Sequence, residues 1–188
     1  MAKATAHSVK PSGAVIRPVG FIVAVKMAIF LAMMNFPDTA FYESLRVLRR
    51  NAVVILDRYS EAQLTTIPDG FNNHILWNVG HLLTSQQLLC YAMADLPLHI
   101  PAHYVPSFRK GSNPREWKER IDLGELKRLL VSTIAELEKD YRQGLFKNYK
   151  PYQSSFGVSL ASIEDAILFD HIHEGLHLGA IMALQKRI

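Results

Sequence analysis

With 188 residues, 49% of them apolar and 20% charged, the chain is sized for one domain with a substantial core, and its composition excludes wholesale disorder. Its single cysteine, Cys90, excludes an intrachain disulfide and any cysteine-rich zinc module, so a metal site would have to be built from histidines and carboxylates. The net charge of +4 comes from scattered basic residues, not from a dense patch interleaved with aromatics, and no nucleic-acid partner is expected.

Residues 1–18 are basic and lack acidic groups, and Val19 to Met34 is almost wholly apolar, the order of an export signal or membrane anchor. Lys26 in the middle of that run, its shortness for a membrane span, and the lack of a clear small-x-small cleavage site speak against this. The reading placed first is a true start at Met27, Met33 or Met34, with the upstream residues an extension. An exported or anchored chain and an amphipathic arm are the alternatives. The chain therefore divides into an N-terminal extension, residues 1–35, and a domain over residues 36–188, expected in the cytoplasm unless residues 1–35 direct export or anchoring.

From Phe41 to Tyr59, Leu45, Val47, Leu48, Ala52, Val53, Leu56 and Tyr59 recur at three- and four-residue steps, with Arg46, Arg49, Arg50 and Asp57 between them, which predicts an amphipathic helix capped by Asp38 or Thr39. Pro68-Asp69-Gly70 breaks the pattern. A second helix is predicted from a cap at Asn72 or Asn73 to about Asp95, with Cys90 as a small buried hydrophobe. Leu96 to Asp122, with four prolines, reads as a long irregular crossing of the kind that often carries function. Leu123 to Tyr141 is a third helix, and Ser159 or Ser162 caps a fourth that runs to the C-terminus, Ser162 heading a capping box with Asp165. No segment alternates convincingly with period two. Four amphipathic helices of similar length predict an all-α, four-helix bundle.

The last helix holds Asp170-His171-Ile172-His173-Glu174-Gly175-Leu176-His177. At about 100° per residue, Asp170, His173 and His177 share a face with Ile163, Ala166 and Ala180, whereas His171 and Glu174 diverge from it. Two imidazoles one turn apart can chelate one ion. His81, beside Gly80 on the second helix, should also point inward, and burying three imidazoles is costly unless each finds partners. A shared divalent metal would satisfy one nitrogen of each. The string His173-Glu174-x-x-His177 also matches the zinc-protease signature literally, but none of the eleven residues after His177 is acidic, and Ala180 and Ala183 stand where an extended signature needs Gly and His.

The segments Asn73-His74-Ile75-Leu76-Trp77-Asn78-Val79-Gly80-His81-Leu82, Phe108-Arg109-Lys110-Gly111, and His173-Glu174-Gly175-Leu176-His177-Leu178-Gly179-Ala180-Ile181 resemble the DinB/YfiT-like superfamily, over about Phe36 to Ile188. The resemblance implies an up-down-down-up four-helix bundle holding zinc or nickel through His81, His173 and His177. Some relatives are thiol transferases and others hydrolases, so it further implies a small-molecule substrate such as a low-molecular-weight thiol, and a homodimer. Asp170 and Glu174 are the candidate catalytic or orienting carboxylates, with Asn73 or Asn78 as further supports, His74 as a candidate for the pocket mouth, and Tyr104, Phe108 and Trp117 as candidates to cover the site, core packing being the favoured role for Trp117. The competing reading is a non-catalytic, metal-stabilised, stress-related bundle protein.

Overall fold

A computed structural model describes residues 36–117 and 119–188. The expectations for residues 1–35 lie outside the described residues. Pro37–Ile188 forms one compact unit, mostly helical. Its helices are α1 (Thr39–Arg58), the single turn α2 (Glu61–Leu64), α3 (Ile75–Gln86), the short α4 (Tyr104–Phe108), α5 (Leu123–Arg142) and α6 (Ile163–Leu184). Among the described residues no helix is long and apolar enough to cross a membrane.

The caps explain most boundaries. Asp38 accepts the Phe41 amide at 2.8 Å, Asp122 accepts those of Gly124 and Glu125, and Ser162 and Asp165 form a reciprocal capping box. The second helix starts later than predicted, because His74 caps it: the ring Nδ1 accepts the Trp77 amide at 2.9 Å. Beyond Gln86 the chain widens into a π turn over Gln87–Tyr91 and tightens into a 3₁₀ turn over Ala92–Ala94. Asp95, left-handed at φ 57°, ends the helical run where it was expected.

Two features differ from the sequence reading. The long crossing contains α4 and a 3₁₀ turn, Pro114–Glu116, and is far from structureless. A two-stranded antiparallel hairpin, β1 (Tyr152–Gln153) with β2 (Ser159–Leu160), precedes α6. Strands of two residues are too short to display period-two alternation.

The four long segments pack in a ring, α1 on α5, α5 on α3, α3 on α6 and α6 on α1. Leu56, Val79, Leu83, Phe108, Leu126 and Leu130 belong to one apolar cluster, and Tyr42, Leu45, Cys90, Tyr91, Ile134 and Ile167 to another. Burial holds the Cys90 thiol well above its usual pKa, which suits an inert core residue. Along α1, Leu45 of one cluster and Ala52 of the other flank Arg49, whose side chain is completely buried. Val47, placed on the apolar stripe by its spacing, is instead exposed.

Candidate metal centre

α3 and α6 bring His81, His173 and His177 together with one ring nitrogen each, all within 4.8 Å of one another. The hydrogen bonds around them decide which nitrogen is free. His81 Nδ1 lies 2.6 Å from the Phe108 carbonyl oxygen, which can only accept, so Nδ1 carries the proton and Nε2 keeps its lone pair. Asn78 donates through Nδ2 to the His74 carbonyl at 2.9 Å, which turns its Oδ1 toward His177 Nδ1 at 2.8 Å. His177 therefore also carries its proton on Nδ1. Its bare Nε2 faces Nε2 of His173 at 3.1 Å. Two imidazole nitrogens this close repel unless a proton or a cation lies between them.

Burial keeps these rings uncharged. It pushes His173 down to about 4, helped by His81 and Arg49, and His177 down to about 3, helped by His173 and His81. Burial lowers His81 as well, against the opposing effect of its bond to Phe108. At neutral pH all three are in the protonation state that a metal ligand needs. Trp77 stacks on His81 with ring centroids 4.6 Å apart, and Phe169 lies over His173, so packing holds the imidazoles in place.

Gly80 is the reason the carbonyl of Phe108 can reach His81. A Cβ at position 80 would lie 2.5 Å from Phe108 Cζ and closer still to Cδ1 and Cε1, so only glycine lets the buried Phe108 ring approach α3 this closely.

The three histidines line one wall of a cavity of about 530 Å³, within the range of small-molecule sites. Trp77, Leu88, Leu89, Met93, Phe156 and Phe169 make it mainly apolar, while Ser85, Ser154 and Lys110 add polar groups. Ser85 Oγ sits 3.2 Å from His81 Nε2.

The predicted carboxylates lie elsewhere. Glu174 is fully buried and bonded through Oε1 to Arg49, 2.6 Å from Nε and 2.5 Å from Nη2, and it does not line the cavity. Asp170 is also fully buried, both its oxygens lack a hydrogen-bond partner, and it too is absent from the lining. Burial and then the neighbouring Glu174 raise its pKa well above the usual carboxylate range, against the pull of Arg49. Neither carboxylate is solvated. His74 is committed to capping α3, Tyr104 and Phe108 are core residues, and Asn73 does line the cavity.

Sequence reasoning passed over Arg49 because arginine among charged neighbours reads as a solvated face. Its spacing from Leu45 and Ala52 was the available signal, since Tyr42, Leu45, Arg49, Ala52 and Leu56 form the buried stripe of α1.

A search of curated proteins finds no match to this chain. A family model described as the DinB superfamily matches residues 44–181, a stretch that begins within α1 and takes in all three histidines, and the chain belongs to that superfamily.

Proposed function

We propose that this protein is a metal-dependent enzyme, a thiol transferase or hydrolase acting on a small molecule, with zinc or nickel held by Nε2 of His81, His173 and His177 on an up-down-down-up bundle. The observation that carries the proposal is the convergence of neutral imidazole nitrogens whose other nitrogens are already engaged at His81 and His177. That pattern is how protein metal ligands are oriented. Three nitrogen ligands would leave a coordination position open to a small molecule, and all three histidines line the cavity.

A divalent ion there would supply Lewis acidity, lowering the pKa of a water or thiol so that the nucleophile forms at neutral pH. The chain's own residues do the rest. The Phe108 carbonyl and Asn78 Oδ1 hold His81 and His177 in the Nδ1-protonated tautomer. Trp77 and Phe169 restrict the rings and keep water from their faces. Ser85 Oγ, beside His81 Nε2, is placed to hold a polar group of a ligand or to relay its proton. The zinc-protease reading is not favoured, because Glu174 is ion-paired to Arg49 and has no route into the cavity.

The proposal includes pairing with a second copy of the chain. Leu168, Ile172, Leu176 and Met182 support it, forming an exposed apolar stripe along α6.

Elemental analysis of tag-free protein tests the metal reading. About one equivalent of zinc or nickel per chain is expected, and below about a tenth of an equivalent after reconstitution would overturn it. If metal is present, assays of thiol conjugation against ester and amide hydrolysis assign the reaction.

A further inference from the structure

The Phe108–Ser112 segment does more than orient His81. Ser112 N bonds to the Arg109 carbonyl at 3.0 Å, closing a β-turn with Lys110 and Gly111 at its centre, and Gly111 has φ 82°, as the third position of a type II turn requires. Ser112 Oγ donates to the Ser107 carbonyl at 2.8 Å and accepts the Trp77 indole N–H at 2.8 Å. The turn is thus fastened to the same tryptophan that stacks on His81, and it carries Lys110 to the cavity lining.

Lys110 is the one Lys, Arg, Asp or Glu among the described lining residues, and no described carboxylate pairs with it. Arg109, Arg115 and Lys147 also lack an acidic partner among the described residues, so what sets the exposed Lys110 apart is its place at the cavity lining. A cavity with apolar walls, one unpaired ammonium and no carboxylate favours a ligand with an apolar body and a negatively charged end.

The geometry points to a small anionic substrate, carrying a carboxylate, sulfonate or phosphate, whose charged end is held by Lys110 and whose apolar body lies along Leu88, Met93, Phe156 and Phe169 toward the three histidines. This rests on the proposed function for the reaction it feeds, but Lys110 needs no metal to select an anion, so the two are separable.

The test is isothermal titration of the full-length chain, zinc-loaded and metal-free, with 4-phenylbutyrate and with its neutral isostere 4-phenylbutanamide. Wild type is expected to favour the carboxylate by on the order of ten-fold in both states. Lys110→Met should abolish that preference while leaving amide affinity and zinc content unchanged. Lys147→Met, which removes an exposed lysine away from the cavity lining, should leave the preference intact. A preference that survives in Lys110→Met, or that vanishes equally in Lys147→Met, overturns the assignment, as does equal or absent binding of both probes to wild type. A preference seen only with zinc also overturns it, because the ion would then be holding the anion. Failure to take up zinc overturns the metal reading instead, and the metal-free titration still judges Lys110.

Discussion

Gly80→Ala isolates the link between packing and the metal centre, because it adds one methyl group and touches no ligand. The new Cβ would overlap the ring of Phe108, which is fully buried and wedged edge-on against Tyr104 and Trp117, with centroids 5.4 and 5.0 Å away. The ring has no space to retreat without carrying its backbone away from α3. Overpacking of this kind costs about 1–3 kcal/mol, and replacing a mid-helix glycine by alanine returns about 1 kcal/mol. A net destabilisation of up to about 2 kcal/mol in urea unfolding of the metal-free protein is expected. The larger effect is on metal. Moving the Phe108 carbonyl from His81 Nδ1 removes the bond that sets the tautomer, and losses of that kind weaken metal binding by about 10–100-fold. Chelator competition would measure this, with circular dichroism confirming the fold. If Gly80→Ala binds zinc as tightly as wild type, the claim that Phe108 orients His81 is wrong. If stability rises by the full amount of about 1 kcal/mol that alanine returns in a helix, the close approach itself is wrong.

Arg49→Met should destabilise the protein by about 3–5 kcal/mol, since it strands the buried Glu174. The double variant Arg49→Met/Glu174→Met should lose less than the single one in urea unfolding, and a double loss equal to the sum of both singles would show that the pair is not coupled. In metal-free protein His74 and His173 are pushed down to about 4 and His177 to about 3 by burial, below the unfolded value near 6.5. The unfolded chain therefore binds more protons on these rings in that interval, and their contribution to stability is complete above pH 6.5 and lost as pH falls toward 4, at up to about 1.4 kcal/mol per pH unit for each histidine, while the raised pKa of buried Asp170 acts in the opposite direction. His74→Asn keeps a helix cap but removes one titrating ring, so the slope of stability against pH should flatten by one histidine's share, and an unchanged slope would refute the assignment. Ile172→Glu, at a residue 56% exposed on α6, should convert a dimer to a monomer in light scattering without lowering single-chain stability. A dimer that persists would clear that stripe of any role in pairing.

Much of this was legible in the sequence because it depends on local chemistry. α1, α5 and α6 followed from three- and four-residue spacing, with caps read at Asp38 for α1 and Ser162 for α6, and the His173–His177 pair from helix geometry. What escaped depends on contacts between distant segments. An imidazole acting as a helix cap is uncommon, so the start of α3 was set a residue or two early. The π turn at Gln87–Tyr91 has no compositional signature. The Phe108 carbonyl is a backbone atom, invisible to any motif, although its neighbour Lys110 lay within a segment already singled out. Glu174 was set apart from the His173 face correctly, but whether it met water or a cation could not be read without knowing that α1 lies opposite.

That opposing cation changes how the His-Glu-x-x-His string is understood. In a zinc protease the glutamate must reach a water on the ion, yet here Arg49 holds Glu174 through two nitrogens, and Arg49 Nη2 also reaches the Leu82 carbonyl at 3.3 Å. Leu82 follows His81 and Glu174 follows His173, so one arginine on α1 ties together the backbone beside one candidate ligand and the side chain beside another. A buried ion pair rarely adds net stability over a hydrophobic substitute, because desolvating both charges costs several kcal/mol. Its distinctive contribution is geometric: a guanidinium bonded to both helices resists sliding of α3 along α6, the motion that would spread the histidine nitrogens apart. The glutamate of the string is thus tied to the arginine that braces α3 against α6, and it stands outside the cavity lining.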